Sequence, residues 1–271
     1  EVQRPGGKRL TGEQFLAVGR IDPASADQPS GMSALAVRAS RRVNAVSRRH
    51  AEVARAMWQP LFPGRAPDAV PITHVTNGVH VPTWLRGPMR ALLDRYLGAG
   101  WLSRADQAAT WQPVSDIPAS ELWTARCAAR GQLVDMITQR STAHRLSRGD
   151  PMDYAEAART GFDPGRLTIG FARRLATYKR LHLLALLPER AIALLGGERP
   201  IQFIFAGKAH PADADAKEIV RQLFTLKRSP SVAGRAAFLE DYDMATAGQL
   251  VAGCDVWVNL PRPPLEASGT S

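Results

Sequence analysis

The chain has 271 residues, 45% hydrophobic and 22% charged, a balance that excludes an intrinsically disordered protein. No apolar run approaches bilayer length, which excludes a membrane-spanning helix. Lys+Arg number 35 against 25 Asp+Glu, a net charge of +10 that admits anionic partners, but the cations are scattered and aromatics make up only 7%, which argues against nucleic-acid binding. Cys127 and Cys254 have no C-x-x-C spacing and fit a reducing, cytoplasmic setting better than a disulfide framework. Glu1 follows no initiator Met and no basic-then-apolar leader, so the chain is expected to be a piece of a longer protein.

In chain order, residues 1–30 are rich in Gly, Pro, Asp and Ser and read as a loop. From Met32 to Trp58, Leu35, Val43, Val46, Val53 and Met57 keep mostly helical spacing, which predicts one long amphipathic helix or two consecutive ones. Pro60, Pro63 and Pro67 stop it, and Pro71–Thr76 reads as a short strand running into the turn signal Asn77-Gly78. Residues 84–98 and 119–147 read as helices, with an irregular stretch holding Trp101 and Trp111 between them.

The pattern changes after Gly165. Short apolar runs at 167–171, 201–205, 235–239 and 255–260 read as strands. Helical patterns over 178–195, about 213–227 and about 244–252 separate them. Alternating strand and helix predicts an α/β fold with a parallel sheet, whose ligands bind beyond the carboxyl ends of the strands.

Several motifs fail on their spacing. Gly207-Lys208 has Ala209 where a P-loop requires Ser or Thr, and Gly98-Ala99-Gly100 has Ser103 where a dinucleotide loop requires its third Gly. His74 and His80 lack an acidic or thiol partner nearby, so no metal site is expected. What survives is the set of residues just after each strand: Arg173, Arg174, Lys179 and Arg180; Lys208; Glu240-Asp241-Tyr242-Asp243; and Glu266-Ala267-Ser268-Gly269-Thr270. Clustered cations beside a Ser-Gly-Thr loop suit a phosphate, and a carboxylate beside them suits a sugar hydroxyl. Taken singly, each segment reads as surface charge or an N-capped turn; together on one sheet edge they favour an anion-plus-polyol site.

Four stretches closely resemble the α-glucan (glycogen, starch and maltodextrin) phosphorylases, in their shorter bacterial branch: Val75–His80, Arg173–Arg180, Phe238–Tyr242 and Glu266–Thr270. Val43–Ser47 with His50 resembles the family's helix before the domain junction, and the likeness is colinear from about residue 30 onward. The resemblance implies a GT-B-type fold of two Rossmann-like domains. Residues 1–75 would be the tail of the first domain, and residues 76–271 the first half of the second. It implies a glycosyltransferase that attacks a terminal α-1,4-linked glucose with orthophosphate, giving glucose 1-phosphate with retention. It also implies pyridoxal 5'-phosphate as cofactor, acting through its phosphate group, and a homodimer for the full-length protein.

Residue by residue, Asn77 matches the Asn that holds the glucose 6-hydroxyl, and Glu266, Ala267, Ser268 and Gly269 match the loop that grips the 3- and 4-hydroxyls. Arg174 and Lys179 match the cations on substrate phosphate. Arg173, Lys179, Tyr242 and Thr270 match groups near the cofactor. Arg173 stands where better-known members have Lys, Ala176-Thr177 replaces a His-Glu pair, Asp243 stands where Arg is common, and Ser271 replaces Gly. The cofactor lysine of the family pattern falls just beyond Ser271, so the fragment alone is expected to be inactive, and a truncated Rossmann half, with an exposed sheet edge and unpaired helix faces, is expected to be poorly stable. Two other readings compete: a nucleotide-sugar glycosyltransferase of the same architecture, and a non-catalytic glucan-binding remnant.

Overall fold

The computed structural model describes residues 11–85, 87–183, 188–229, 232, 234–262 and 265. The chain divides into two compact units, the first running to Val79 and the second spanning His80–Arg262. In the first unit, α1 (Gly12–Val18) begins on a capping box between Thr11 and Gln14, within the stretch that composition alone assigns to a loop. The segment 32–58, expected to be one helix or two consecutive ones, forms two helices separated by a strand: α2 (Met32–Ala39), β1 (Val43–Ala45) and α3 (Arg48–Trp58). The break has a long-range cause. β1 pairs in parallel with β2 (Ile72–His74), placing Ala45 opposite His74. Ser47 then caps α3, accepting from the His50 N–H at 3.1 Å. Ala45, Ala51, Ala54, Val70 and Ile72 form this unit's core.

The second unit opens with α4 (Val81–Trp84) and α5 (Gly87–Leu97). Two 3-10 segments, Trp101–Arg104 and Ala108–Asp116, lead into the long α6 (Ala119–Ser147). Trp101 is 1% exposed, donates to Asp94 Oδ1 at 2.7 Å and meets Trp111 edge-on, so the irregular stretch is packed core. α7 (Met152–Gly161) follows; its buried residues are only Ala155 and Ala158, too small to mark a helical stripe in the sequence.

Then comes the alternating part: β3 (Thr168–Ala172), α8 (Pro188–Gly196), β4 (Gln202–Ala206), α9 (Ala214–Arg228), β5 (Ala236–Leu239), α10 (Met244–Gly253) and β6 (Val256–Trp257). The four strands form one parallel sheet in the order β5-β4-β3-β6, so the molecule is mixed α/β as expected. Side chains alternate across it. Ile204 and Leu239 pack with Leu133, Ile137 and Leu250 on one face. Phe203, Phe205 and Phe238 pack with Leu195 and Leu223 on the other.

Two expectations after β3 need correction. Where the expected helix would begin, a 3-10 turn at Thr177–Lys179 instead ends at Arg180 in the left-handed region, φ 57°, and the expected helix is described over Pro188–Gly196, as α8. The strand expected over 255–260 is strand only at Val256–Trp257, with the Val258 N–H still donating to Gly170 O at 2.9 Å. Asp255 still donates its N–H to Thr168 O at 2.8 Å, while its side chain joins an ion-pair cluster: both oxygens lie 2.9 Å from Arg130 Nη1, and Oδ2 accepts from the Thr168 N–H. Both cysteines are free thiols, and burial pushes the Cys254 thiol up to about 12. Among the described residues no helix is long and apolar enough to cross a membrane.

Candidate active site

The strand register sets the geometry. Ala172 lies opposite Ala206, and Ala206 opposite Leu239, so the chain leaves β3, β4 and β5 at one level. Arg173, Gly207 and Glu240 are therefore neighbours on one edge although distant in sequence. The first two exits continue side by side: the Arg173 N–H donates to Ala206 O at 3.1 Å, and the Leu175 N–H to Lys208 O at 3.0 Å. This approach requires Gly207. Its φ is 149°, and a Cβ there would stand 2.0 Å from Arg173 O.

The expected cations differ in setting. Arg174 is exposed and Arg173 half-buried. Lys179 is 6% exposed, with its ammonium 4.8 Å from the Tyr178 ring centre. Its turn is tied to the segment after β6. Arg180 Nε donates to Leu260 O at 2.7 Å, and the Arg262 N–H to Tyr178 O at 2.8 Å. Tyr242 is half-buried against the core. Burial raises its phenol above the usual range, and the Arg173 charge opposes that rise. Lys208 pairs with Asp241 Oδ1 at 3.4 Å, and Asp241 is itself in the left-handed region at φ 53°. The fold thus gathers Arg173, Lys179, Lys208 and Tyr242 on the exits of the sheet.

Glu266, Ala267, Ser268, Gly269 and Thr270 lie outside the described residues. Asn77 lies in the first unit; it is exposed, with its N–H on Val46 O at 3.1 Å. His80 is exposed and pairs with Thr83 Oγ1 at 2.7 Å. Among the described residues no group of three or more His, Cys, Asp or Glu is arranged to hold a metal ion.

Two features escaped the sequence reading. The Oδ1 of Asn259, just past β6, is buried and has no hydrogen-bond partner among the described residues. Nothing in the sequence singles it out. Arg140 and Arg148 of α6 both reach Glu240, and their signal was present as basic residues at positions 140, 144 and 148, one helical face.

Comparison with known proteins decides the family. The family model described as carbohydrate phosphorylase matches residues 16–271. The chain belongs to the carbohydrate phosphorylase family. It is 39% identical to the maltodextrin phosphorylase of Thermococcus litoralis across its whole length, covering 32% of that protein. It is 39% identical to the glycogen phosphorylase of Aquifex aeolicus over 92% of the chain, and 42% identical to that of Mycobacterium tuberculosis strain H37Rv over 97%. It spans about a third of the length of these relatives, 36% and 30% of the latter two. The resemblance carried by Val75–His80, Arg173–Arg180 and Phe238–Tyr242 is thus matched by similarity to these phosphorylases over nearly the whole chain.

Proposed function

We propose that the protein containing this phosphorylase chain is an α-glucan phosphorylase of GT-B architecture, cytoplasmic and homodimeric at full length. It would convert a terminal α-1,4-linked glucose and orthophosphate to glucose 1-phosphate with retention. The observation that carries this reading is that Arg173, Lys179 and Tyr242 lie on the segments leaving β3 and β5 at one edge of the sheet, in a family whose similar members are named for glycogen and maltodextrin. Two phosphates brought together repel strongly, and fixed cations in a partly dry site offset that cost without reorganising.

In this reading Arg174, on the exposed side of the exit loop, takes the incoming phosphate, and buried Lys179 stands between substrate phosphate and cofactor. Arg173, Tyr242 and Thr270 hold the cofactor side. Asn77 holds the glucose 6-hydroxyl, and Glu266, Ala267, Ser268 and Gly269 hold its 3- and 4-hydroxyls. The donor set fits pyridoxal 5'-phosphate, since buried Lys179, half-buried Arg173 and the phenol of Tyr242 suit a phosphate monoester. When bound, that cofactor supplies a phosphate group able to exchange a proton with the substrate phosphate.

The test is a protein of the relatives' length, given a linear α-1,4-glucan and orthophosphate, with glucose 1-phosphate measured by a coupled assay. Release is expected, and Arg174→Ala should reduce it by about 100-fold or more. Glucan elongation from a nucleotide-sugar, with no phosphate-dependent release, would replace this reading with that of a nucleotide-sugar transferase. Glucan binding with neither activity would leave a binding protein.

A further inference from the structure

The loop from Glu240 to Thr246 carries Tyr242 and Asp241, and it is held from outside. Arg140 of α6 donates from Nη2 to Glu240 O at 2.9 Å and from Nη1 to Thr246 Oγ1 at 2.7 Å. One guanidinium therefore bridges the two ends of the loop. One and two turns further along α6, His144 Nδ1 lies 3.9 Å from Glu240 Oε2, and Arg148 donates to Glu240 Oε1. Positions 140, 144 and 148 are four apart, so the three basic groups share one helical face, and all three meet Glu240. Inside the loop, Asp243 caps α10 by accepting the Thr246 N–H at 2.8 Å, and Asp241 holds a left-handed φ of 53°. For a non-glycine residue such a backbone persists only where its surroundings enforce it.

We propose that Arg140 is a positioning residue for the candidate active site: by tying Glu240 to Thr246 it fixes the loop that carries Tyr242 and packs it against the core. It touches neither reacting group. Its planar guanidinium fork holds two acceptors in a fixed geometry, whereas an ammonium is a point charge on a flexible stem that sets no such geometry. Glu240 is the complementary anchor, because its carboxylate holds the loop to α6 independently of the bond to its carbonyl. The consequence for turnover rests on the phosphorylase reading; the positioning itself does not.

The test has two arms. In the first, 3-fluorotyrosine is incorporated into the chain, which has four tyrosines, and Tyr242→Phe assigns the relevant fluorine signal. Arg140→Ala should shift the Tyr242 signal and move its titration down toward that of free tyrosine, as the ring loses its burial. The Tyr154 signal, on α7, should stay in place. Arg140→Lys should behave like Arg140→Ala; it retains most of the side-chain stem and is read in its place if the alanine variant does not fold. An unmoved Tyr242 signal in a folded Arg140 variant overturns the proposal.

In the second arm, the same substitutions in a protein of the relatives' length should lower kcat by about 10- to 100-fold, with the glucan KM within about twofold. A purely stabilising role would lower the amount of folded enzyme and leave kcat per folded molecule unchanged, which also overturns the proposal. If Tyr242 moves but even the unsubstituted protein shows no phosphorolysis, the phosphorylase reading fails and the positioning role stands.

Discussion

Lys227 offers a sharp test of how this fold treats charge. Its side chain is only 5% exposed, and its stem lines an apolar cavity of about 180 Å³ with Leu195, Phe203, Leu223 and Val232. Burial, reinforced by the like charges of Arg145 and Arg148 and partly offset by Glu240 and Asp150, lowers its ammonium from 10.5 to about 8. That gap corresponds to roughly 3 kcal/mol of penalty on the charged form. Below pH 8 both folded and unfolded chains carry the proton, so the penalty is present in full. Between about 8 and 10.5 the folded state sheds the proton first and stability rises with pH. Above that window both states are neutral and the penalty is gone.

Lys227→Met keeps the stem and removes the charge. It forgoes the contact of the ammonium with the Phe224 ring, 4.9 Å away, worth about 1 kcal/mol. The net expectation is a gain of about 2 kcal/mol at pH 7 that fades as pH approaches 10.5. Urea melts of both proteins from pH 6.5 to 10.5 measure it, with the difference between them cancelling other titrating groups. A Met variant that is less stable at pH 7, or a gain independent of pH, refutes the reasoning.

Other expectations follow from close packing and buried charge. A Cβ at Gly161 would stand 2.1 Å from Gly234 O, so Gly161→Ala should destabilise by about 2 kcal/mol in chemical denaturation, where a helical Gly→Ala normally gains about 1. Asp255→Asn leaves Arg130, only 3% exposed, without its carboxylate. A loss of about 3–5 kcal/mol is expected, and calorimetry should show it as a fall in Tm. Leu133 is fully buried between α6 and the sheet; Leu133→Ala should cost about 2–5 kcal/mol, read by the same urea melts.

Much of the second unit was legible because its signals are local. β3, β4 and β5 are short apolar runs between turn residues. α6 runs from Ala119 to Ser147 as expected, because Pro118 precedes it and Gly149, at φ 68°, follows it. α7 was not legible, since its packing stripe is two alanines against a glycine-bearing backbone. β1 was hidden beside Arg41 and Arg42, where its extended shape depends on pairing with β2. The turn after β3 reads as helix by composition, yet the Arg180 and Arg262 bonds to the opposite chain segment hold it as 3-10.

The sequence by itself determined the residue types on the sheet exits and the order of strands and helices along the chain, because side-chain periodicity and turn chemistry act over a few residues. Only the tertiary structure decided that Ala172, Ala206 and Leu239 stand abreast. It also decided that Gly207 must be bare and that Arg140 reaches a carbonyl 100 residues away. Those choices come from parallel pairing and helix packing, whose partners are distant in the chain and whose energy is realised only when both faces of the sheet are covered.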